Sequence, residues 1–188
     1  LDGRSRAVQI AGTSGAWVGF AAGAVILAVT SVVTLTAARV VVPGALAVAA
    51  VCLAAGADPG AGIALVAPAV VAAAAVASAE FGRTFLQASA YGDESRFGLR
   101  GPVGYLLLSG LTWLIAAPAA VLVPVAWAAR WWVAAPLLTA SAVAGAVLLP
   151  RRWHQLSRRW LVLVPAGVVV HDPVVLADTL MMPKASID

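Results

Sequence analysis

VGYLLLSGLTWLIAAPAAVLVPVAWA (Val103–Ala128), the dipeptide Ala129-Arg130, and WWVAAPLLTASAVAGAVLLP (Trp131–Pro150) set 26 and 20 residues in a row with no Asp, Glu, Lys, Arg or His. A hydrocarbon core about 30 Å thick takes about 20 apolar residues of helix to cross, so each segment is long enough to span it. Lipid offers no partner to an unpaired backbone group, which makes helices the required form. Two spans joined by a tight turn at Arg130 are therefore expected.

The same pattern extends toward the N-terminus. An apolar run from about Ala16 to Ala38 is closed by Arg39, a second covers Val40–Gly56, and a third covers Ala61–Ala79 and stops at Glu80. The second and third flank Gly56-Ala57-Asp58-Pro59-Gly60, a turn by residue type. At 17 and 19 residues they sit near the lower limit for crossing, as two full spans or as a hairpin that dips in and returns. The expected fold class is an all-α polytopic membrane protein of four or five helices, with residues 1–150 as the helical domain.

Composition excludes a water-soluble surface. Hydrophobic residues make up 62% and charged ones 11%, against roughly 25% charged in soluble domains. The net charge of +4 comes from basic residues beside apolar runs, where they act as orientation signals and head-group contacts, so no nucleic-acid partner is expected. Eleven Arg against one Lys, with abundant Ala, Val and Gly, resembles proteins of GC-rich bacteria. Cys52 is the sole cysteine, which excludes an internal disulfide or a CxxC site. A chain that starts at Leu1 rather than Met leaves room for a preceding segment, and the first apolar run is too long for a signal peptide.

Positive residues near span ends stay in the cytoplasm. Arg4, Arg6 and Arg130 fall on one side, while Arg39, Arg83, Arg96, Arg100, Arg151, Arg152, Arg158, Arg159 and Lys184 fall on the other. Three against nine predicts a cell inner-membrane protein with its N-terminus outside and its C-terminus cytoplasmic. Trp17, Trp127, Trp131 and Trp132 would then mark the outer interface.

Gly15, Gly19 and Gly23 lie on one face of the first span, where a neighbouring backbone can approach. The first expectation is packing within the chain, and the second is a homo-oligomer or partner seam. Pro68, Pro118, Pro124 and Pro136 interrupt the spans as prolines commonly do in membrane helices. Between the expected span ends no ionisable residue occurs, which weighs against an ion-coupled transporter or proton pump.

Residues 80–102 form the long cytoplasmic loop, and its candidate polar group is Glu80, Arg83, Asp93, Glu94, Arg96 and Arg100. Glu80 and Arg83 are three apart and pair if the helix continues. The group could serve a head-group enzyme, yet no paired-carboxylate, nucleophile or metal spacing is present, and His154 and His171 lack metal partners. No catalytic residue, cofactor or metal is expected. Asp58 is expected as a turn residue.

From Arg151 the chain leaves the apolar pattern. Arg151, Arg152, Trp153, Arg158, Arg159 and Trp160 form a basic, aromatic juxtamembrane segment suited to anionic lipids. Leu161–Val164, Pro165-Ala166-Gly167 and Val168–His171 predict a β-hairpin within 151–188. Arg159-Trp160, Gly167-Val168-Val169-Val170 and Met182-Pro183-Lys184 through Ile187 resemble the opening of the PH-like β domains of bacterial membrane proteins. A complete domain of that kind needs more strands than residues 161–188 provide, so the resemblance implies further chain beyond Asp188. Three functions fit: a non-enzymatic scaffold or accessory subunit binding lipids and a protein partner or a second copy, a transporter or channel for a neutral or lipidic substrate, and a lipid head-group enzyme.

Overall fold

The computed structural model describes residues 5–187; Arg4, counted above among the outer basic residues, lies outside the described residues. Among the described residues, five helical segments are long and apolar enough to cross a membrane: Arg6–Ala28, Val32–Ala54, Pro59–Ala77, Val103–Ala128 and Ala134–Ser157. The first is α1 and the second is two helices in line, α2 (Val32–Val41) and α3 (Gly44–Ala54). The others are α4 (Pro59–Ala77), α6 (Val103–Ala128) and α7 (Ala134–Ser157), with a short α5 (Ala79–Gln87) after α4.

The first two segments divide at Val29-Thr30-Ser31, not at Arg39 as the apolar runs suggest. Ser31 is extended and its hydroxyl accepts from Thr34 N (3.1 Å), while Thr34 Oγ1 accepts from Ser31 N (2.9 Å). This reciprocal cap starts a new helix inside a continuous apolar run, because short hydroxyl side chains offer the backbone an alternative to helical bonding. Arg39 therefore falls within the second helical segment, level with Val76 near the end of α4, and α7 continues through Pro150 to carry Arg151, Arg152 and His154 at its C-terminal end.

The second segment breaks at Pro43, which lacks the N–H that would bond to the carbonyl of Arg39. Helical bonding resumes with Ala45 N to Val42 O at 3.2 Å and Leu46 N to Pro43 O at 2.8 Å. Trp113 of α6 donates its indole N–H to the carbonyl of Val40 at 2.9 Å, which pins the break to a neighbouring helix. Asp58 caps α4 by accepting from Ala61 N at 3.1 Å, as its turn position suggests. Helices α6 and α7 run antiparallel in close contact, and a Cβ on Gly145 would collide with that of Ala116.

Beyond the helix ends stands a four-stranded antiparallel sheet, ordered β1 (Ser95–Gly98), β2 (Trp160–Val164), β3 (Gly167–His171), β4 (Leu180–Pro183). The expected hairpin is present as β2–β3, with Val164 opposite Gly167. Residues 80–102, expected as a loop, instead supply α5 and β1, and β1 pairs Phe97 with Leu161 across the whole α6–α7 hairpin. The cap therefore draws on both sides of that hairpin, and residues 151–188 alone do not delimit it. Leu35 of α2 with Phe85 and Leu86 of α5 forms its buried core, with Val32, Phe81 and Trp160 packed around it.

Candidate functional site

Of the polar residues of the 80–102 segment, Glu80, Arg83, Gln87, Glu94 and Arg96 gather at the junction of α5 and β1. Ser78 opens α5 by accepting from Phe81 N at 3.1 Å, and the helix then directs Phe85 and Leu86 inward and Glu80, Arg83 and Gln87 to solvent. Glu80 and Arg83 pair at 2.7 Å, the spacing expected of helix neighbours, but both are exposed and the pair adds little to stability. Between α5 and β1 lies an open groove of about 500 Å³, lined by Glu80, Arg83, Thr84, Gln87, Ser95 and Arg96 among others.

Arg96 organises the groove floor. Its guanidinium bonds Glu94 Oε1 (2.6 Å from Nη2, 3.0 Å from Nε) and Ser89 Oγ (3.1 Å), and it lies 5.8 Å from the centre of the Trp160 ring. Trp160 in turn stacks on His171 with centroids 5.1 Å apart. Glu94 also accepts from Tyr91 N at 2.6 Å. That backbone bond and Arg96 hold its carboxyl below the usual carboxylate range. A carboxylate so stabilised as an anion is a poor proton carrier near neutral pH. Gln87 bridges the strand end, donating to Glu94 O (2.8 Å) and accepting from Arg96 N (3.0 Å), and so occupies the free edge of β1.

Arg159 and Trp160, expected at the lipid surface, are instead structural. Arg159 is 6% exposed and Asp172 is 7% exposed, and they form a two-point ion pair at 2.6 and 2.5 Å. Arg159 also donates to the carbonyl of Arg100 at 2.6 Å. Its two bonds and the N–H of Val174 depress the Asp172 carboxyl below its ordinary range. Arg152 is held by Thr112 Oγ1 at 2.9 Å and Trp153 is half-buried, whereas Arg151 and Arg158 are exposed. Asp93 and Arg100 are exposed at the loop surface.

Sequence reasoning missed Asp172, whose partner lies thirteen residues earlier with no motif linking them, and missed Arg39 as an interior cation. Arg39 Nε donates to the carbonyl of Val76 near the end of α4 at 3.3 Å, and its head lies against Gly82, where a Cβ would fall 2.8 Å away. His154 Nδ1 meets Thr36 Oγ1 at 3.2 Å, tying α7 to α2. Of the glycine face, Gly15 meets Pro124 of α6, while Gly19 and Gly23 face open space. Among the described residues no group of three His, Cys, Asp or Glu side chains gathers at metal-binding distance. No known protein family, curated protein or solved structure matches the chain.

Proposed function

We propose that the chain is a non-enzymatic scaffold or accessory subunit of a membrane complex, with its N-terminus outside and its β cap in the cytoplasm. One observation carries this reading: the outer face of the sheet is apolar and uncovered. Register and alternation put Phe97, Leu161, Leu163, Val168, Leu180 and Met182 on one side, and Phe97, Leu163, Leu180 and Met182 are each 40–50% exposed. A sheet that packs Trp160 of one face against Leu35, Phe85 and Leu86 and leaves the other face largely apolar has surface for a further layer.

The edges are guarded while the face is not. Gln87 takes the edge of β1, and Pro183 lies on β4 where Lys184 N bonds to Ala166 O (2.9 Å), so the proline nitrogen points away from β3 and removes an edge donor. Face-on docking by a protein partner or a second copy fits this better than strand addition.

The test is extraction with a native lipid patch and mass spectrometry of everything retained. A stoichiometric protein that dissociates from Leu163→Asp supports the scaffold. Wild type isolated alone as a monomer removes it.

A second reading, transport of a neutral or lipidic substrate, draws support from the break at Pro43, since discontinuous helices often flank substrate sites. It predicts flux in proteoliposomes that Trp113→Phe alters.

A further inference from the structure

The arginines of the cap end divide into two sets. Arg39, Arg96, Arg152 and Arg159 have their heads on protein acceptors, and Arg83 pairs with Glu80. Arg100, Arg151 and Arg158 are exposed, and among the described residues their side chains have neither a carboxylate within salt-bridge distance nor a hydrogen-bond acceptor. Arg151 in the last two turns of α7 and Arg158 at its C-cap are seven residues apart, about two turns, so both lie toward the same side of the helix end. Gln155 lies between them, bonded by the Tyr105 hydroxyl of α6. The carbonyl of Arg100 is bound by Arg159, which places Arg100 beside the lower end of that stripe.

The level of the stripe follows from the helix register. Tyr105 meets Gln155 and Arg152 meets Leu108 and Thr112, so Arg151 and Arg152 stand near Ser109 of α6. At 1.5 Å per residue, Ser109 to Ala128 is about 28 Å, Ala134 to Arg152 about 27 Å and Pro59 to Ala77 about 27 Å. Trp127, Trp131 and Trp132 mark the far end of this slab, and its thickness approaches a hydrocarbon core of about 30 Å. Arg151 then stands at the hydrocarbon boundary, with Arg158 and Arg100 descending through the head-group layer.

We infer that Arg151, Arg158 and Arg100 form a binding surface for the phosphates of anionic phospholipids, and that the other cap arginines have no part in it. Charge complementarity argues for this occupant, because unpaired cations at the boundary of an anionic leaflet meet phosphate before anything else. The inference rests on the bundle sitting in a bilayer and not on a partner docking to the sheet.

The full chain, reconstituted in phosphatidylcholine nanodiscs with a minority of phosphatidylglycerol, is released in the mass spectrometer and its retained lipids counted. Wild type is expected to retain phosphatidylglycerol in excess of its share. Arg151→Gln with Arg158→Gln lowers the enrichment by about fivefold per residue, and Arg100→Gln lowers it by a similar factor. Arg130→Gln, a single exposed cation on the opposite turn rather than a cluster of three, lowers it less. Unaltered enrichment in the triple variant, or equal loss in Arg130→Gln, overturns the inference.

Lysine at the same positions preserves binding if charge is the cause, and loss of binding there in a folded protein counts against the inference. Should the glutamine variants misfold, wild type at high salt decides: enrichment that survives screening overturns the proposal. Displacement by inorganic phosphate assigns the site to a soluble anion and likewise overturns it. A chain that fails to insert into nanodiscs at all would count against the membrane reading, a different failure.

Discussion

Arg159 and Asp172 close the β cap with a two-point ion pair that both strands of the β2–β3 hairpin deliver from their open ends, with more than nine-tenths of each residue out of solvent. Removing one partner leaves the other charged, buried and unpaired. Asp172→Ala should destabilise the cap by about 3–5 kcal/mol. Chemical unfolding followed by tryptophan emission, with Trp160 in the cap core, measures the loss. A change below about 1 kcal/mol would mean that water reaches the pair.

The same pair sets an acid limit. The Asp172 carboxyl is depressed in the folded state, so its contribution is complete above the unfolded value of about 3.9 and is lost as pH falls through the lower folded value. Cap stability should therefore show no loss from this group between neutral pH and about 5, then fall in stronger acid. Asp172→Asn should start lower and show a shallower acid limb.

Two glycines separate packing from open surface. Gly145→Val forces a side chain into Ala116 and should lower the thermal midpoint in detergent, at a cost of about 1–3 kcal/mol or more. Gly19→Val meets nothing within 4 Å and should leave the monomer unchanged. If Gly19→Val instead converts a larger species to a smaller one in sedimentation, the open part of the glycine face is an intermolecular seam.

Gln87→Leu uncovers the β1 edge by removing a donor to Glu94 O and an acceptor from Arg96 N. The expected loss is about 1 kcal/mol per bond, with faster amide exchange across residues 94–98. Unchanged exchange would show that the edge is held by Arg96 and Glu94 alone.

Reporters in the Gly56–Asp58 turn and in the Pro165–Ala166 turn should lie on opposite faces of the membrane, the second in the cytoplasm. Both on one face would mean that residues 32–77 enter and return without crossing.

The apolar runs by themselves determined the long apolar helices, narrowed their count to four or five, and gave the β2–β3 hairpin, because fitness for hydrocarbon depends on residue type over a stretch and a hairpin depends on neighbouring residues. Residue types also led to Asp58 as a turn residue and to the Glu80–Arg83 pair, both local. The boundary at Ser31 was hidden because two hydroxyls within one apolar run do little to its mean hydropathy, although their reciprocal bonds restart the helix. Only the tertiary structure decided that Ser95–Gly98 is a strand, since its partner lies beyond two whole helices and four residues carry no periodicity of their own. It also decided which arginines are structural. A guanidinium among apolar and aromatic neighbours looks the same in sequence whether it faces a phosphate, as proposed for Arg158, or a buried carboxylate, as at Arg159. The difference lies in an acceptor that the folded chain brings from elsewhere.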